Sequence, residues 1–310
     1  MHILLQFLLL VLGFVMLVKG ADWFVDGAAG IADRFGIPQL VIGLTIVAMV
    51  TSEPEEAVSI TAALKGSAAI TIGNVVGSNI MNILLILGIT SVIVTVAVAK
   101  STVRYEIPYM LFITVLLMLF GYTGGHITRI EGVFLWVAFI VYLSYLFFMA
   151  KNNKEEVEEE GKKKPVWLLI VLAIVGVVLV VWGSDISVDA ATEIAKAAGL
   201  SDRFIGLTIV AFGTSLPELV TSTSAALKGK ADIAIGNIVG SNIFNILFVV
   251  GTTALITPVV FETGFLIDFI VAIAAGVLLW LCVFKDQKLN RTGGILMLVG
   301  YAAYFVYLMV

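Results

Sequence analysis

Long apolar runs alternate with short polar breaks from one end of this chain to the other. About 20 apolar residues suffice for a helix to cross a bilayer. The pattern therefore predicts an all-α polytopic membrane protein with ten transmembrane helices. These predicted spans lie near residues 3–19, 37–64, 68–97, 106–121, 128–150, 166–183, 203–227, 231–258, 264–284 and 292–310.

The second, third, seventh and eighth spans contain Gly, Ser, Thr, Asn and Pro, so they need not be continuous helices. One long polar stretch, KNNKEEVEEEGKKKP, covers residues 151–165 between the fifth and sixth spans. We expect it to be a solvated linker.

The chain contains an internal repeat. The stretch IGLTIVAMVTSEPEEAVSITAALKGSAAITIGNVVGSNIMN, which begins at Ile42, aligns without a gap to the stretch that begins at Ile205. This divides the chain into residues 1–150, the loop 151–165 and residues 166–310, with repeated cores near 42–88 and 205–251. Because each half holds an odd number of spans, the two halves enter the membrane in opposite orientations. Inverted repeats with interrupted helices are typical of secondary transporters.

The charged residues indicate an orientation. Cytoplasmic loops of membrane proteins carry an excess of Lys and Arg. Ten spans place most of the 18 Lys and Arg residues on the side that holds the 151–165 loop. Both termini are then predicted outside, with the central loop cytoplasmic, in the plasma (cell) membrane. The exceptions are Lys65, Arg129, Lys196 and Arg203.

Composition limits the possible chemistry. Hydrophobic residues make up 60% of the chain and charged residues 13%, which is too little charge to cover a soluble domain of this length. A single cysteine excludes an internal disulfide, and two histidines exclude an all-His metal site. No basic patch suggests nucleic acid, and no nucleophile–base pair or cofactor fingerprint suggests an enzyme or a covalent cofactor. The expected partners are the lipid bilayer and small ions, and the oligomeric state stays open.

Each repeat carries the phrase TSxPE within apolar sequence. Pro lacks a backbone N–H, so it can free carbonyl groups in the preceding turn. Carbonyl, hydroxyl and carboxylate oxygens are the ligands that Na⁺ and Ca²⁺ prefer. A carboxylate in the bilayer is costly, and two at matching places indicate function. The phrase comprises Thr51, Ser52, Pro54 and Glu55, matched by Thr214, Ser215, Pro217 and Glu218.

A second polar cluster follows each phrase, GNVVGSNIMN in the first repeat and GNIVGSNIFN in the second. Ser78 and Asn82 are four residues apart and share a helix face, as do Ser241 and Asn245. These small polar residues could instead serve helix packing in lipid.

GTSLPE followed by GNIVGSNIFN resembles the signature of the cation/calcium exchanger superfamily, in its sodium/calcium exchanger-like, prokaryotic branch. The resemblance implies Na⁺/Ca²⁺ exchange by alternating access, with four cation sites between the repeats. It implies that Glu55 and Glu218 are shared ligands of Ca²⁺ and Na⁺. It further implies oxygen ligands from Ala48, Thr51, Ser52, Ser78 and Asn82, matched by Ala211, Thr214, Ser215, Ser241 and Asn245.

The chain departs from this family pattern in the first repeat. Three Glu residues within four positions would form a dense anionic cluster with Glu218, and like charges that close cannot all ionise. Asn245 stands where some relatives carry Asp, which argues against a strongly K⁺-dependent type. The first-repeat departures are Val50 opposite Gly213, Glu53 opposite Leu216, Glu56 opposite Leu219, and Ala69 opposite Asp232.

Three interpretations of the extra carboxylates Glu53 and Glu56 stay open. They could face an access path and tune ion choice, they could bring H⁺ coupling, or the first repeat could be altered so that the chain folds but exchanges poorly. A hypothesis of another class is a non-transporting scaffold or cation sensor with the exchanger fold.

Overall fold

The computed structural model describes residues 2–65, 68–152, 164–199 and 211–309. Most of the predicted linker, residues 153–163, and the beginning of the predicted seventh span, residues 203–210, lie outside this description. The described residues are almost entirely helical, which confirms the predicted all-α fold. The α-helices are α1 His2–Phe35, α2 Gln39–Ile42, α3 Ala48–Thr51, α4 Glu53–Leu64, α5 Ala69–Met81, α6 Gly88–Ile93, α7 Ile107–Gly124, α8 Arg129–Asn152, α9 Val166–Ala197, α10 Ala211–Thr214, α11 Leu216–Leu227, α12 Ala231–Phe244, α13 Gly251–Ile256, α14 Phe265–Phe284 and α15 Arg291–Met309.

Wider π-helical turns join several of these helices into longer spans. Such turns are rare and occur often at functional sites. Two of them occupy equivalent positions in the repeats, and each begins at a candidate site asparagine. In the described residues the π-helical turns are Gly43–Val47, Asn82–Leu87, Thr102–Glu106 and Asn245–Val250.

Eight helices of the described chain are long and apolar enough to cross a membrane. They correspond to all the predicted spans except the second and the seventh. The second predicted span is broken between α3 and α4, and the described part of the seventh is broken between α10 and α11. The fold is therefore a polytopic helical membrane protein, and its helices are compatible with ten spans.

The first and sixth spans are longer than predicted. Their ends near residues 19 and 183 are wrong, because α1 continues to Phe35 and α9 to Ala197. Each helix ends just before a glycine in the left-handed region, Gly36 at φ 64° and Gly199 at φ 80°. Polar residues alone do not end a helix, whereas a left-handed glycine at its C-terminus does.

Helices α1 and α9 pack against each other along their length through glycines. A Cβ atom on Gly176 would lie 2.4 Å from the backbone nitrogen of Phe24 and 2.7 Å from the carbonyl of Gly20. A Cβ atom on Gly183 would lie 2.8 Å from the carbonyl of Gly13. Small residues allow this close approach of helix backbones in membranes. The two helices thus form one closely packed pair.

Short strands connect the two halves of the chain. Val96–Ala97 pairs antiparallel with Lys288–Leu289, and His126–Ile127 pairs antiparallel with Val259–Val260. The buried core lies between the repeats, where nearly every side chain of α12 is inaccessible to solvent. The polar clusters of the sequence lie on α5 and α12 and end at Asn82 and Asn245 of the following π-helical turns, inside this core.

Candidate functional site

Both TSxPE phrases interrupt a helix at the serine. Ser52, at φ −85° and ψ 7°, separates α3 from α4, and Ser215, at φ −93° and ψ 6°, separates α10 from α11. Pro54 and Pro217 lie in the first turn of the new helices, where a missing N–H is tolerated. Each break therefore places a serine and a glutamate at the beginning of a helix within the core.

The two glutamates are fully buried, and each accepts a hydrogen bond from the other repeat. Ser52 Oγ donates to Oε1 of Glu218 at 3.0 Å, and Ser215 Oγ donates to Oε1 of Glu55 at 3.2 Å. Ser78 Oγ also donates to Oε1 of Glu55, at 2.9 Å. The serine of one repeat thus binds the carboxylate of the other, which brings both carboxylates into a single site.

Four buried asparagines of the two repeats are joined by reciprocal bonds. Asn79 and Asn242, 163 positions apart, each donate Nδ2 to the other's backbone carbonyl at 3.2 Å. Asn82 Nδ2 donates to Asn242 Oδ1 at 3.0 Å, and Asn245 Nδ2 donates to Asn79 Oδ1 at 3.1 Å. The same contacts in both directions show a pseudo-two-fold relation between the repeats at the site.

The hydroxyl groups of Thr51 and Ser241 gather around the carbonyl of Ala48. Thr51 Oγ1 and Ser241 Oγ each lie 3.3 Å from Ala48 O, which also accepts the backbone N–H of Ser52 at 3.1 Å. Thr51 Oγ1 further donates to Asn237 Oδ1 at 2.9 Å. Thr51 has a single O–H, and Asn237 is its nearer acceptor. The expected freeing of the Ala48 carbonyl is not seen in this conformation, because the Ser52 N–H and the Ser241 hydroxyl bind it.

Four buried oxygens of these glutamates and asparagines keep free acceptor capacity. Within the described part of the chain, none of them has a hydrogen-bond partner. A buried acceptor without a partner is costly. A cation supplies what all four lack, and two carboxylates match the charge of one Ca²⁺ or two Na⁺. The four are Oε2 of Glu55, Oε2 of Glu218, Oδ1 of Asn82 and Oδ1 of Asn245.

Thr214 and Ala211 are the two remaining predicted site residues of the second repeat. Thr214 ends α10 next to Ser215 and is half-buried. Ala211 begins α10, and its side chain lies outside the described residues.

Glu53 and Glu56 do not share the burial of Glu55 and Glu218. Glu53 is exposed and Glu56 is half-buried, whereas Glu55 between them is fully buried. Successive residues on a helix are rotated by about 100°. Glu55 therefore faces a different direction from Glu56, the next residue, and from Glu53, two residues earlier. The expected dense cluster of four carboxylates is wrong, and the site contains two.

Two serines, Ser59 and Ser222, bind asparagines of the predicted polar clusters but were not themselves predicted. Asn74 Nδ2 donates to the backbone carbonyl of Glu55 and to Ser59 Oγ, both at 3.0 Å. In the second repeat, Asn237 Nδ2 donates to Ser222 Oγ at 2.9 Å. The signal that could have identified both serines is their repetition four residues after each site glutamate.

The Val50–Gly213 difference has a structural counterpart. A Cβ atom on Gly213 would lie 2.2 Å from Val188 Cγ2 of α9, and Ser184 Oγ of α9 donates to the Gly213 carbonyl at 2.9 Å. Glycine is therefore required at position 213 in this conformation. Val50 is partly buried against the main core.

Comparison with known proteins assigns both halves of the chain to one family. The model of the family described as sodium/calcium exchanger protein matches residues 5–148 and 168–310, one segment in each half. The chain belongs to the sodium/calcium exchanger family.

Relatives of this family match the chain from end to end. The sodium/calcium exchanger MaX1 of Methanosarcina acetivorans is 33% identical over 350 residues, covering 99% of both chains. The inner membrane protein YrbG of Escherichia coli is 34% identical over 324 residues, covering 98% of this chain and 97% of the relative. The structure of the sodium-calcium exchanger NCX_Mj superposes with a TM-score of 0.86 at 34% identity, covering 99% of each chain. Membership of an exchanger family agrees with the transporter architecture inferred from the repeats.

Proposed function

We propose that this chain is a secondary-active antiporter that exchanges Na⁺ for Ca²⁺ by alternating access. The observation that carries the proposal is the pair of buried carboxylates, one from each repeat, that each keep one oxygen without a hydrogen-bond partner in the described residues. The names of MaX1 and NCX_Mj, both sodium/calcium exchangers, support the same ions.

The proposed ligands follow from the site geometry. Glu55 and Glu218 bind both ions through the oxygens that accept no hydrogen bond, and the amide oxygens of Asn82 and Asn245 border the same space. Hydroxyl groups that now bond to these carboxylates and to Ala48 can rotate and turn an oxygen towards a cation. The remaining proposed ligands are Ala48, Thr51, Ser52, Ser78, Ala211, Thr214, Ser215 and Ser241.

Charge explains why such a site would exchange ions rather than leak them. An empty site carries two negative charges in a low-dielectric interior. A change of access from one side of the membrane to the other is costly while no cation neutralises these charges. One Ca²⁺ or two Na⁺ cancel that charge equally well and compete for Glu55 and Glu218. Transport of one ion therefore depends on return with the other.

The orientation and the division into halves belong to the same proposal. The excess of Lys and Arg on one side supports external termini and a cytoplasmic 151–165 loop, in the plasma membrane. Residues 1–150 and 166–310 are the two inverted halves.

Isotope flux tests the proposal. Purified protein in sealed vesicles loaded with Na⁺ is diluted into Na⁺-free buffer containing radioactive Ca²⁺. We expect Ca²⁺ uptake that requires the outward Na⁺ gradient and stops when a Na⁺ ionophore removes it.

The same vesicles separate the alternatives. Uptake driven by a pH gradient but not by Na⁺ would replace Na⁺ coupling with H⁺ coupling at the same carboxylates. Absence of uptake with either gradient, in folded protein, would overturn transport and favour a scaffold or a cation sensor.

A further inference from the structure

A buried carboxylate outside the cation site has no counterpart in the other repeat. Glu106 lies at the beginning of the fourth predicted span and is 1% exposed. At the spacing of 163 positions that relates Asn79 to Asn242, its match is Phe269, which is also buried. Packing at this place therefore does not need a charge, and the pairing of the site glutamates does not explain Glu106. An ionisable residue within a membrane span is costly and usually functional.

A π-helical turn sets the position of Glu106. The turn covers Thr102–Glu106 and leads directly into α7, whereas the matching segment of the second repeat is α-helical from Phe265 onward. Trp280 of α14 donates its indole N–H to the carbonyl of Val103, within the turn, at 2.9 Å. Such turns occur often at functional sites. This turn belongs to the first repeat alone among the described residues and is stabilised by a contact of its own.

The hydrogen bonding of Glu106 is incomplete. The hydroxyl of Tyr145 donates to Oε1, whereas Oε2 has no hydrogen-bond partner in the described part of the chain. None of the ion pairs among the described residues includes this carboxylate. A buried charge without a partner is strongly destabilising. A ligand that brings positive charge and N–H donors would supply what Glu106 lacks.

Glu106 lines a cavity of about 440 Å³ between the beginning of α7 and the second half of α8. The rings of Tyr109 and Tyr142, which also line it, are stacked with their centroids 5.7 Å apart. The rings of Tyr105 and Tyr145 meet edge to face at 6.4 Å in the same lining. The faces of tyrosine rings attract ammonium groups. Four tyrosines and one carboxylate thus suit this cavity to an ammonium group.

Arg104 adds a positive charge to the lining of the same cavity. Its side chain is exposed, and its guanidinium lies over the ring of Tyr105, 5.8 Å from the centroid. Arginine binds phosphate oxygens through paired N–H donors. Arg104 and Glu106 therefore offer opposite charges to one ligand, as a zwitterionic phosphoethanolamine group requires.

The surroundings favour a lipid as the source of this group. Val141 lines the cavity and is exposed, as are Val137, one turn earlier on α8, and Phe112 of α7. Exposed apolar side chains on membrane spans face acyl chains. Arg104 and Lys151 lie at the ends of these spans, where Tyr, Lys and Arg mark the level of the lipid headgroups.

We propose that this cavity binds the headgroup of a phospholipid with a primary ammonium, namely phosphatidylethanolamine. The tyrosine faces and Glu106 hold the ammonium, and Arg104 holds the phosphate. A primary ammonium donates three hydrogen bonds and can satisfy Oε2, which a trimethylammonium group cannot do. Because Oε2 is enclosed in the described conformation, a rotation of the Glu106 carboxylate accompanies binding. The proposal does not depend on ion exchange.

Native mass spectrometry of the full chain tests the proposal. Delipidated protein in detergent is titrated with phosphatidylethanolamine, phosphatidylcholine or phosphatidylglycerol that carry the same acyl chains. We expect phosphatidylethanolamine to bind at least about tenfold more tightly than either of the others, since a hydrogen bond to a charged group contributes about this much. Equal affinities of the unsubstituted protein for the three lipids would overturn the site.

Two substitutions separate the roles of the charged residues. Glu106→Gln should lower the affinity for phosphatidylethanolamine about tenfold and leave phosphatidylglycerol unchanged, whereas Arg104→Gln should weaken both lipids alike. Asp268→Asn is the matched control, because Asp268 at the beginning of α14 also accepts a tyrosine hydroxyl, from Tyr304 at 2.8 Å, but is partly exposed. Its lipid affinities should equal those of the unsubstituted protein. Unchanged affinity for phosphatidylethanolamine in folded Glu106→Gln protein would overturn the site.

Soluble phosphoethanolamine distinguishes the two sources of the headgroup. It lacks the acyl chains that contact the apolar faces of α7 and α8, so we expect it to bind at least about tenfold more weakly than the lipid. Equal affinity would assign the cavity to a soluble amine and overturn the lipid. Binding is measured without an ion gradient, so none of these outcomes depends on whether the chain exchanges Na⁺ for Ca²⁺.

Discussion

Ser52 of the first repeat donates its hydroxyl to Glu218 of the second at 3.0 Å. Both side chains are fully buried in the core. The reverse contact, from Ser215 to Glu55, completes the exchange. Neither half of the chain can therefore assemble the site alone. A substitution at any of these serines or glutamates therefore changes a contact between the two repeats.

Glu218→Gln should strongly reduce exchange. The amide keeps the size of the side chain but removes one of two negative charges, so a divalent cation is no longer neutralised in the low-dielectric core. Because each 1.4 kcal/mol is about a tenfold change in an equilibrium constant, we expect Na⁺-driven Ca²⁺ uptake to fall by about tenfold or more. Uptake at the wild-type level would refute the assigned site.

Glu53→Gln together with Glu56→Gln should leave exchange nearly unchanged. Glu53 is exposed and Glu56 half-buried, so neither shares the full burial of Glu55 and Glu218. The measurement is the Ca²⁺ concentration that gives half-maximal uptake, compared with the single Glu55→Gln variant. A large shift would instead support the interpretation that these carboxylates tune ion choice on an access path.

Gly213→Val should destabilise the described conformation. Even a Cβ atom at position 213 would lie 2.2 Å from Val188 Cγ2 of α9. Overpacking typically costs about 1–3 kcal/mol, so we expect a lower unfolding temperature in detergent. An unfolding temperature equal to that of the unsubstituted protein would show that the steric requirement for glycine at position 213 is wrong.

Gly176→Ala should destabilise the α1–α9 pair. The new Cβ atom would lie 2.4 Å from the Phe24 backbone nitrogen, a position that forces the helices apart. Overpacking of this kind typically costs about 1–3 kcal/mol, which should lower the unfolding temperature in detergent. Gly124→Ala, where the Cβ would meet nothing within 4 Å, is the control. Equal unfolding temperatures for both variants would contradict the close packing.

The repeat made much of the site predictable. Residues that recur at a fixed spacing within apolar sequence, such as Glu55 and Glu218, are costly enough to indicate function before any contact is known. The supporting serines Ser59 and Ser222 were missed because a single hydroxyl in a helix costs little and stands out less. The ends of α1 and α9 were also missed, since polar residues within the sequence do not show whether a helix continues.

The sequence by itself determined the helical membrane fold, the pairing of equivalent residues and the oxygen chemistry of the site, because hydrophobic period and repetition are local properties of the chain. Only the tertiary structure decided which of three neighbouring glutamates is buried, since this depends on the break at Ser52 and the rotation of α4. It also decided that α9 lies against α10, where Ser184 Oγ donates to the Gly213 carbonyl and Val188 packs against Gly213. Two equivalent sequences cannot show which repeat makes this contact, because it arises from the position of the α1–α9 pair in the folded chain.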